Sequence, residues 1–204
     1  MITIVDYGLG NVQAFANIYK RLEIPAVLAR NADELAGATH IILPGVGAFD
    51  WAMACLDASG MRATLDDLVQ VQRNPVLGIC VGMQMMALGS DEGQSPGLGW
   101  FDAHVRIFDD AKFVSRTHLP HMGWNDVEPA RTDDLLRDLG DEARFYFLHS
   151  YYFVPNDPAD VLATTVYGER FTCVVQRGNV HGVQFHPEKS HGWGVRLLKN
   201  FAGL

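Results

Sequence analysis

Three side chains of this 204-residue chain, Cys80, His186 and Glu188, have the types and the surroundings to attack a carbonyl carbon. Cys80 lies in Gly78-Ile79-Cys80-Val81-Gly82, between an apolar run rich in β-branched residues and a segment, 83–88, that reads as a helix. The pattern predicts a strand, a sharp turn and a helix with a thiol at the turn. A nucleophile at such a turn takes a sparsely populated backbone conformation, and small residues two places on either side let strand and helix approach. The unpaired N–H groups of a helix N-terminus favour a thiolate there. A free cysteine can equally be a small buried hydrophobe, so its partners must discriminate.

The first partner stretch is Gly182-Val183-Gln184-Phe185-His186-Pro187-Glu188-Lys189-Ser190. In extended backbone, residues two apart point the same way, which puts His186 and Glu188 on one face. A histidine base needs one fixed tautomer, and a carboxylate accepting from its ring N–H supplies it. His181, His186 and His191 also invite a metal reading, but their odd separations alternate faces and no cysteine or carboxylate pattern accompanies them. No metal and no cofactor is expected. The second partner stretch is Pro44-Gly45-Val46-Gly47, where a peptide between two glycines can turn its N–H toward a site, as an oxyanion hole requires.

These residues need a scaffold that brings three chain segments to one edge. Residues 2–5, 26–29, 39–43 and 75–80 read as strands, with helical patterns over 12–22, 33–35, 51–56 and 61–71 between them. Alternating strands and helices predict an α/β fold, a mostly parallel central sheet flanked by helices, in which ligands bind beyond the carboxyl ends of the strands. Asp6-Tyr7-Gly8-Leu9-Gly10-Asn11 lacks the third glycine of a dinucleotide fingerprint, since Gln13 stands there, and reads as a turn whose backbone comes close to something. Residues 90–120 are loop-rich with a strand near 103–108, and Pro120 to Asn125 is a compact polar and aromatic cluster. Runs at 144–154, 161–167, 171–176 and 180–185 read as successive strands and 193–201 as a closing helix, which gives one α/β unit with an antiparallel strand extension. No repeat or linker interrupts the chain, so 1–204 is expected to be one domain.

Bulk properties narrow the partners. A net charge of −8 without a Lys/Arg cluster argues against nucleic acid or an anionic membrane. Three widely spaced cysteines, Cys55, Cys80 and Cys173, form neither a disulfide framework nor a zinc pattern. No stretch nears the roughly 20 apolar residues of a membrane span, and Met1 to Asp6 shows no signal-peptide pattern, so a cytoplasmic location is expected.

Taken together, Gly78-Ile79-Cys80-Val81-Gly82-Met83-Gln84 and His186-Pro187-Glu188 resemble the triad class of class I glutamine amidotransferases, with their flavodoxin-like fold. Asp6 to Asn11, Pro44 to Gly47, Pro120-His121-Met122-Gly123-Trp124-Asn125, His149-Ser150-Tyr151 and His186 to Ser190 are similar to the family of glutaminase subunits of imidazole glycerol phosphate synthases. The resemblance runs over nearly the whole chain. It implies hydrolysis of glutamine to glutamate and ammonia through a γ-glutamyl thioester on Cys80, with His186 as base and Glu188 as its orienter. Ammonia would pass to a cyclase/synthase subunit with a (β/α)8 barrel, in a heterodimer of histidine biosynthesis. By the same resemblance, the oxyanion hole is made by N–H groups around Val46, Gly47 and Val81. Gly47, Gln84, Glu92, Ser150 and Tyr151 hold the glutamine, and Asn11, Met122, Trp124, Tyr146 and Lys189 lie toward the partner and the ammonia path.

Three features depart from the commonest pattern. Val81 stands where leucine is usual, and Gly97-Leu98-Gly99-Trp100 and Ser190-His191-Gly192-Trp193 resemble a paralogous branch that feeds ammonia to surface-polysaccharide sugar biosynthesis. A cysteine hydrolase of esters or peptides could use the same turn, but would have no use for the Pro120–Asn125 and Pro187–Ser190 stretches.

Overall fold

A computed structural model of the chain describes residues 1–113, 118–140 and 142–204. The first half runs β1 (Ile2–Val5), α1 (Val12–Arg21), β2 (Ala26–Ala29), α2 (Ala32–Leu35), β3 (His40–Gly45), α3 (Phe49–Ala58), α4 (Arg62–Asp66), β4 (Val76–Cys80) and α5 (Val81–Gln84). The second half contributes β5 (Gly89–Ser90), β6 (Ala103–Ile107), β7 (His121–Asp126), β8 (Glu128–Pro129), β9 (Arg144–His149) and β10 (Tyr151–Pro155). It ends with β11 (Val161–Tyr167), β12 (Glu169–Arg177), β13 (Val180–Val183) and α6 (His191–Phe201).

In the main sheet the order β2-β1-β3-β4-β13 is parallel, and from β13 the sheet continues antiparallel through β12, β10 and β6. β1, β4 and β13 are buried at every position, which is why they read as continuous apolar runs rather than as alternation. The covering helices show the opposite pattern: α1 buries Phe15, Ile18 and Tyr19 on one face, and Lys20 and Arg21 in its last turn complement the macrodipole. Asn11 caps α1, its side-chain oxygen accepting from Ala14 N at 3.3 Å. The Asp6–Asn11 turn does come close to something: a Cβ on Gly10 would lie 2.7 Å from Pro44 Cβ, and Tyr7 Oη donates to Pro44 O at 2.7 Å. Among the described residues no helix is long and apolar enough to cross a membrane.

The strands of the first half and the mixed sheet follow the sequence reading; four details differ. The helix after Cys80 covers Val81–Gln84 rather than 83–88. The carbonyls of Met85, Met86, Ala87 and Leu88 are taken by the N–H groups of Leu98, Phe101, Gly99 and Gly97, so a returning loop outcompetes the helix ladder. The run at 144–154 is two strands in two sheets. β9 pairs with β7 in a separate antiparallel ribbon, β10 joins the main sheet, and the chain changes sheets at Ser150. The Pro120–Asn125 cluster is therefore the start of a strand, β7. Lastly, β13 stops at Val183, and Pro187–Lys189 form a 3-10 turn in place of extended backbone.

Because β3, β4 and β13 are neighbours, three chain segments leave the sheet side by side at its carboxyl edge. They are the Val46 loop, the Cys80 turn and the His186 segment.

Candidate active site

Cys80 has φ 56° and ψ −113°, a left-handed conformation costly for a residue with a Cβ, and α5 begins at the next residue. Close packing holds it there. A Cβ on Gly78 would lie 2.7 Å from Gly82 O, and one on Gly82 would collide with Leu43 O. Gly45 likewise abuts the Gly82 nitrogen, so its lack of a side chain serves contact with the nucleophile turn rather than freedom of the Val46 peptide. Gly47 is different: it has φ +84°, with open space where a Cβ would stand.

A cleft of about 230 Å³ opens over the turn, lined by Val46, Gly47, Val81 and Gln84 on one side of Cys80 and by Leu148 to Tyr151 on another. His186, Lys189 and Glu92 complete the wall. Thus Cys80, His186, Val46, Gly47, Val81, Gln84, Glu92, Ser150 and Tyr151 come together around one space. Glu188 stands behind His186, its Oε1 2.9 Å from His186 Nδ1, with the two side chains 3% and 5% exposed. The contact forms across a 3-10 turn rather than by alternation along a strand, and Nδ1–H donates to the carboxylate, which leaves Nε2 as the nitrogen available to the thiol. Burial opposes a charge on His186, but the hydrogen bonds and charges of Cys80 and Glu188 outweigh it and lift the imidazole to about 10. A thiol beside an imidazole that a buried carboxylate orients is an arrangement for acyl transfer.

Glu92 reaches the cleft with one oxygen engaged, Oε2 accepting from Phe49 N at 2.9 Å at the start of α3. That anchors the carboxylate in the wall of the cleft that Cys80 also lines and leaves Oε1 for a cationic group. Gln84 is buried, and its Nε2 donates to Tyr151 O at 3.0 Å and to Gln184 Oε1 at 3.1 Å. Sequence reasoning missed Gln184, Leu148 and His149 as site residues. His149 Nδ1 donates to Tyr151 O at 2.8 Å and pins the bend at Ser150, while its Nε2 accepts from His121 Nδ1 at 3.1 Å. Burial lowers His149 to about 3 and His121 to about 4, so both are neutral near pH 7. The position of His149 next to Ser150-Tyr151 was the only signal for it.

Of the residues expected toward a partner, Lys189 lines the cleft, with its Nζ 5.8 Å from the centroid of the Tyr146 ring. Met122 and Trp124 project from β7 opposite Leu148 and Tyr146 of β9. Met122 is 60% exposed, Trp124 and Leu148 36% each, and Val46 across the cleft 39%, which makes an apolar rim. Trp124 also stacks on His191 with centroids 5.1 Å apart and planes at 4°. Asn11 lines no part of the cleft, and its capping of α1 accounts for it structurally.

Known proteins share both the sequence and the fold. An imidazole glycerol phosphate synthase subunit HisH of Bdellovibrio bacteriovorus is 61% identical over 204 residues, covering 100% of both chains. The protein of that name from Leptospira interrogans is 49% identical, and a HisH 2 from Pseudomonas aeruginosa 46%, again over 100% of each chain. A crystal structure of a glutamine amidotransferase superposes with a TM-score of 0.75 at 21% identity, covering 100% of this chain and 99% of that one. A glutamine amidotransferase from Thermotoga maritima gives 0.61 at 18% identity, covering 92% of this chain and 75% of that one. The family model for class-I glutamine amidotransferases matches residues 3–203, and the chain belongs to that family.

Proposed function

We propose that this chain is the glutaminase subunit of an imidazole glycerol phosphate synthase, releasing ammonia from glutamine for a cyclase built as a (β/α)8 barrel, in histidine biosynthesis. The whole chain, 1–204, acts as one amidotransferase domain. The observation that carries the reading is the single cleft in which Cys80, His186 and the Val46 loop meet, with Glu188 hydrogen-bonded behind His186. Each of the three relatives described above bears the synthase name, which favours the histidine pathway over the polysaccharide branch.

The chemistry follows from the geometry. Cys80 as thiolate attacks the side-chain amide carbon of glutamine, and the charge that grows on the oxygen is met by N–H groups of the Val46–Gly47 segment and Val81. His186, held as imidazolium by Glu188, gives its proton to the departing nitrogen, and ammonia leaves behind a γ-glutamyl thioester. Neutral His186 then takes a proton from water, which attacks the thioester, and the expelled Cys80 thiolate restores the pair as glutamate forms. Glu92 faces the substrate ammonium, and Gly47, Gln84, Ser150 and Tyr151 border the rest of the molecule. The ammonia must stay unprotonated until used, so the exit needs a sealed contact, and the exposed Met122 and Trp124, with Tyr146 and Lys189 beside the cleft, suit it; Asn11 keeps only its place in the expected partner surface. Glutamate release from glutamine, measured for the purified protein with and without its cyclase, tests the proposal; activity on esters or peptides but none on glutamine would refute it.

A further inference from the structure

The buried amides of Gln84 and Gln184 admit one arrangement of nitrogen and oxygen, and a backbone carbonyl decides it. Tyr151 O can only accept, and it lies 3.0 Å from the Gln84 amide, so the atom facing it is Nε2. The second hydrogen on that nitrogen points to Gln184, 3.1 Å away, which makes the facing atom there Oε1. Gln184 must therefore turn its NH2 group the other way, where Cys80 Sγ lies at 3.8 Å. Gln184 is 0% exposed and does not line the cleft, so it is placed to act on the sulfur and not on the substrate.

We propose that Gln184 is a further catalytic residue, whose amide N–H donates to the Cys80 sulfur and stabilises its negative charge before attack and again when the thiolate leaves the acyl enzyme. Gln84 and the Tyr151 carbonyl are positioning groups that keep this N–H aimed at the sulfur. The donor has an opponent. Leu148 O lies 3.9 Å from Sγ and can accept from the thiol but only repel the thiolate. A charge-assisted bond is stronger than a neutral one, so the pair of contacts favours ionised sulfur when Gln184 is present. The titratable groups near Cys80 are His186, His149, Tyr151, Glu92 and Lys189 around the cleft, Glu188 behind His186 and Tyr7 buried behind the turn, and the Gln184 side chain hydrogen-bonds none of them among the described residues.

The inference takes Cys80 as the nucleophile, and its test separates the two ideas. The full-length protein is alkylated with iodoacetamide across pH, and modification of the Cys80 peptide is followed by mass. Gln184→Met removes the donor, and Gln84→Met with Gln184→Met replaces the whole amide pair by apolar groups of similar shape, a change that protects folding. The expected result is an upward shift of about one pH unit in the Cys80 midpoint in both proteins, with kcat for glutamine down about tenfold and KM unchanged in the single variant. A merely structural role would leave the midpoint where it was, and an unmoved midpoint in the folded double variant overturns the inference. Wild-type Cys80 no more reactive than Cys55 would instead overturn the nucleophile assignment.

Discussion

His186 Nδ1 and Glu188 Oε1 are 2.9 Å apart in a setting where both side chains are almost wholly buried, and Glu188 Oε2 has no hydrogen-bond partner among the described residues. The carboxylate thus spends its one strong contact on the imidazole. His186→Ala removes the proton carrier and is expected to lower kcat by about 10³-fold or more, whereas Glu188→Gln, which keeps the shape but weakens the orienting charge, costs about 10²-fold. Steady-state glutamate release checks both. Comparable losses in KM rather than kcat would contradict the assignment.

Cys80 is expected to be the residue labelled by a glutamine-analogue electrophile. Cys173 is fully buried and its thiol is pushed well above the usual range by desolvation, so it remains unlabelled. Cys55, half-buried on α3, lines no part of the cleft. Peptide mapping after labelling shows which thiol reacted, and Cys80→Ala should abolish both labelling and turnover.

The Cys80 turn was legible in the sequence because everything that makes it is local: β-branched strand, two glycines, apolar continuation. The Val46 loop and the His186 segment were legible for the same reason, and β3, β4 and β13 bring them together. What the sequence did not reveal depends on contacts made far along the chain. α5 is cut to one turn by a loop arriving from Gly97 to Phe101, and the run at 144–154 divides because its two ends find different sheets. Gln184 was invisible because its meaning lies in Gln84, 100 residues away.

The buried histidine pair predicts an acid limb of stability. His121 is stacked between Phe147, at 4.7 Å, and Tyr167, at 3.9 Å, and is lowered to about 4 by burial. An unfolded histidine titrates near 6.5, so between about pH 6.5 and 4 the unfolded state binds the extra proton. Stability then falls as pH falls, by about 1.4 kcal/mol per pH unit per such proton. His186 acts oppositely: raised to about 10, it contributes stability that is complete below about 6.5 and lost as pH rises through 10. Urea melts of His121→Phe, which keeps the stack, should show an acid limb shallower by about one proton than wild type. Equal slopes would mean that His121 is protonated in the native state.

The rim beside the cleft predicts where the synthase docks. Trp124→Ala removes an exposed aromatic that stacks on His191, and Lys189→Ala removes the charge at the mouth of the cleft. Together they are expected to weaken partner affinity by at least tenfold and to lower glutamine-dependent synthesis more than synthesis from added ammonium. Calorimetric titration of the cyclase and parallel assays with the two nitrogen sources check this. Unchanged affinity with unchanged glutamine-dependent synthesis would place the interface elsewhere.

The two glycines that flank Val46 differ in what a side chain would meet there. Gly45 pairs with Cys80 at the end of β3 and has the Gly82 nitrogen where a Cβ would go, so Gly45→Ala must displace the nucleophile turn. That variant should lose stability and activity together, with or without a partner. Gly47 has room for a Cβ but holds φ +84°, so Gly47→Ala keeps the fold at a cost of about 1 kcal/mol and biases the backbone toward negative φ. The adjoining peptide is one of the expected oxyanion donors, and losing a donor costs about 10²–10³ in rate. Control of the glutaminase is expected to act at this same bond, with docking of the cyclase and its substrate expected to shift the peptide toward the orientation that meets the oxyanion and to raise kcat far more than it lowers KM. Gly47→Ala should therefore alter the ratio of kcat with partner and acceptor to kcat of the unpartnered glutaminase, whereas Gly45→Ala lowers both. Glutamate release from each variant by itself, with cyclase, and with cyclase plus acceptor measures that ratio; a ratio of one in the wild type would rule out a switch at Val46–Gly47.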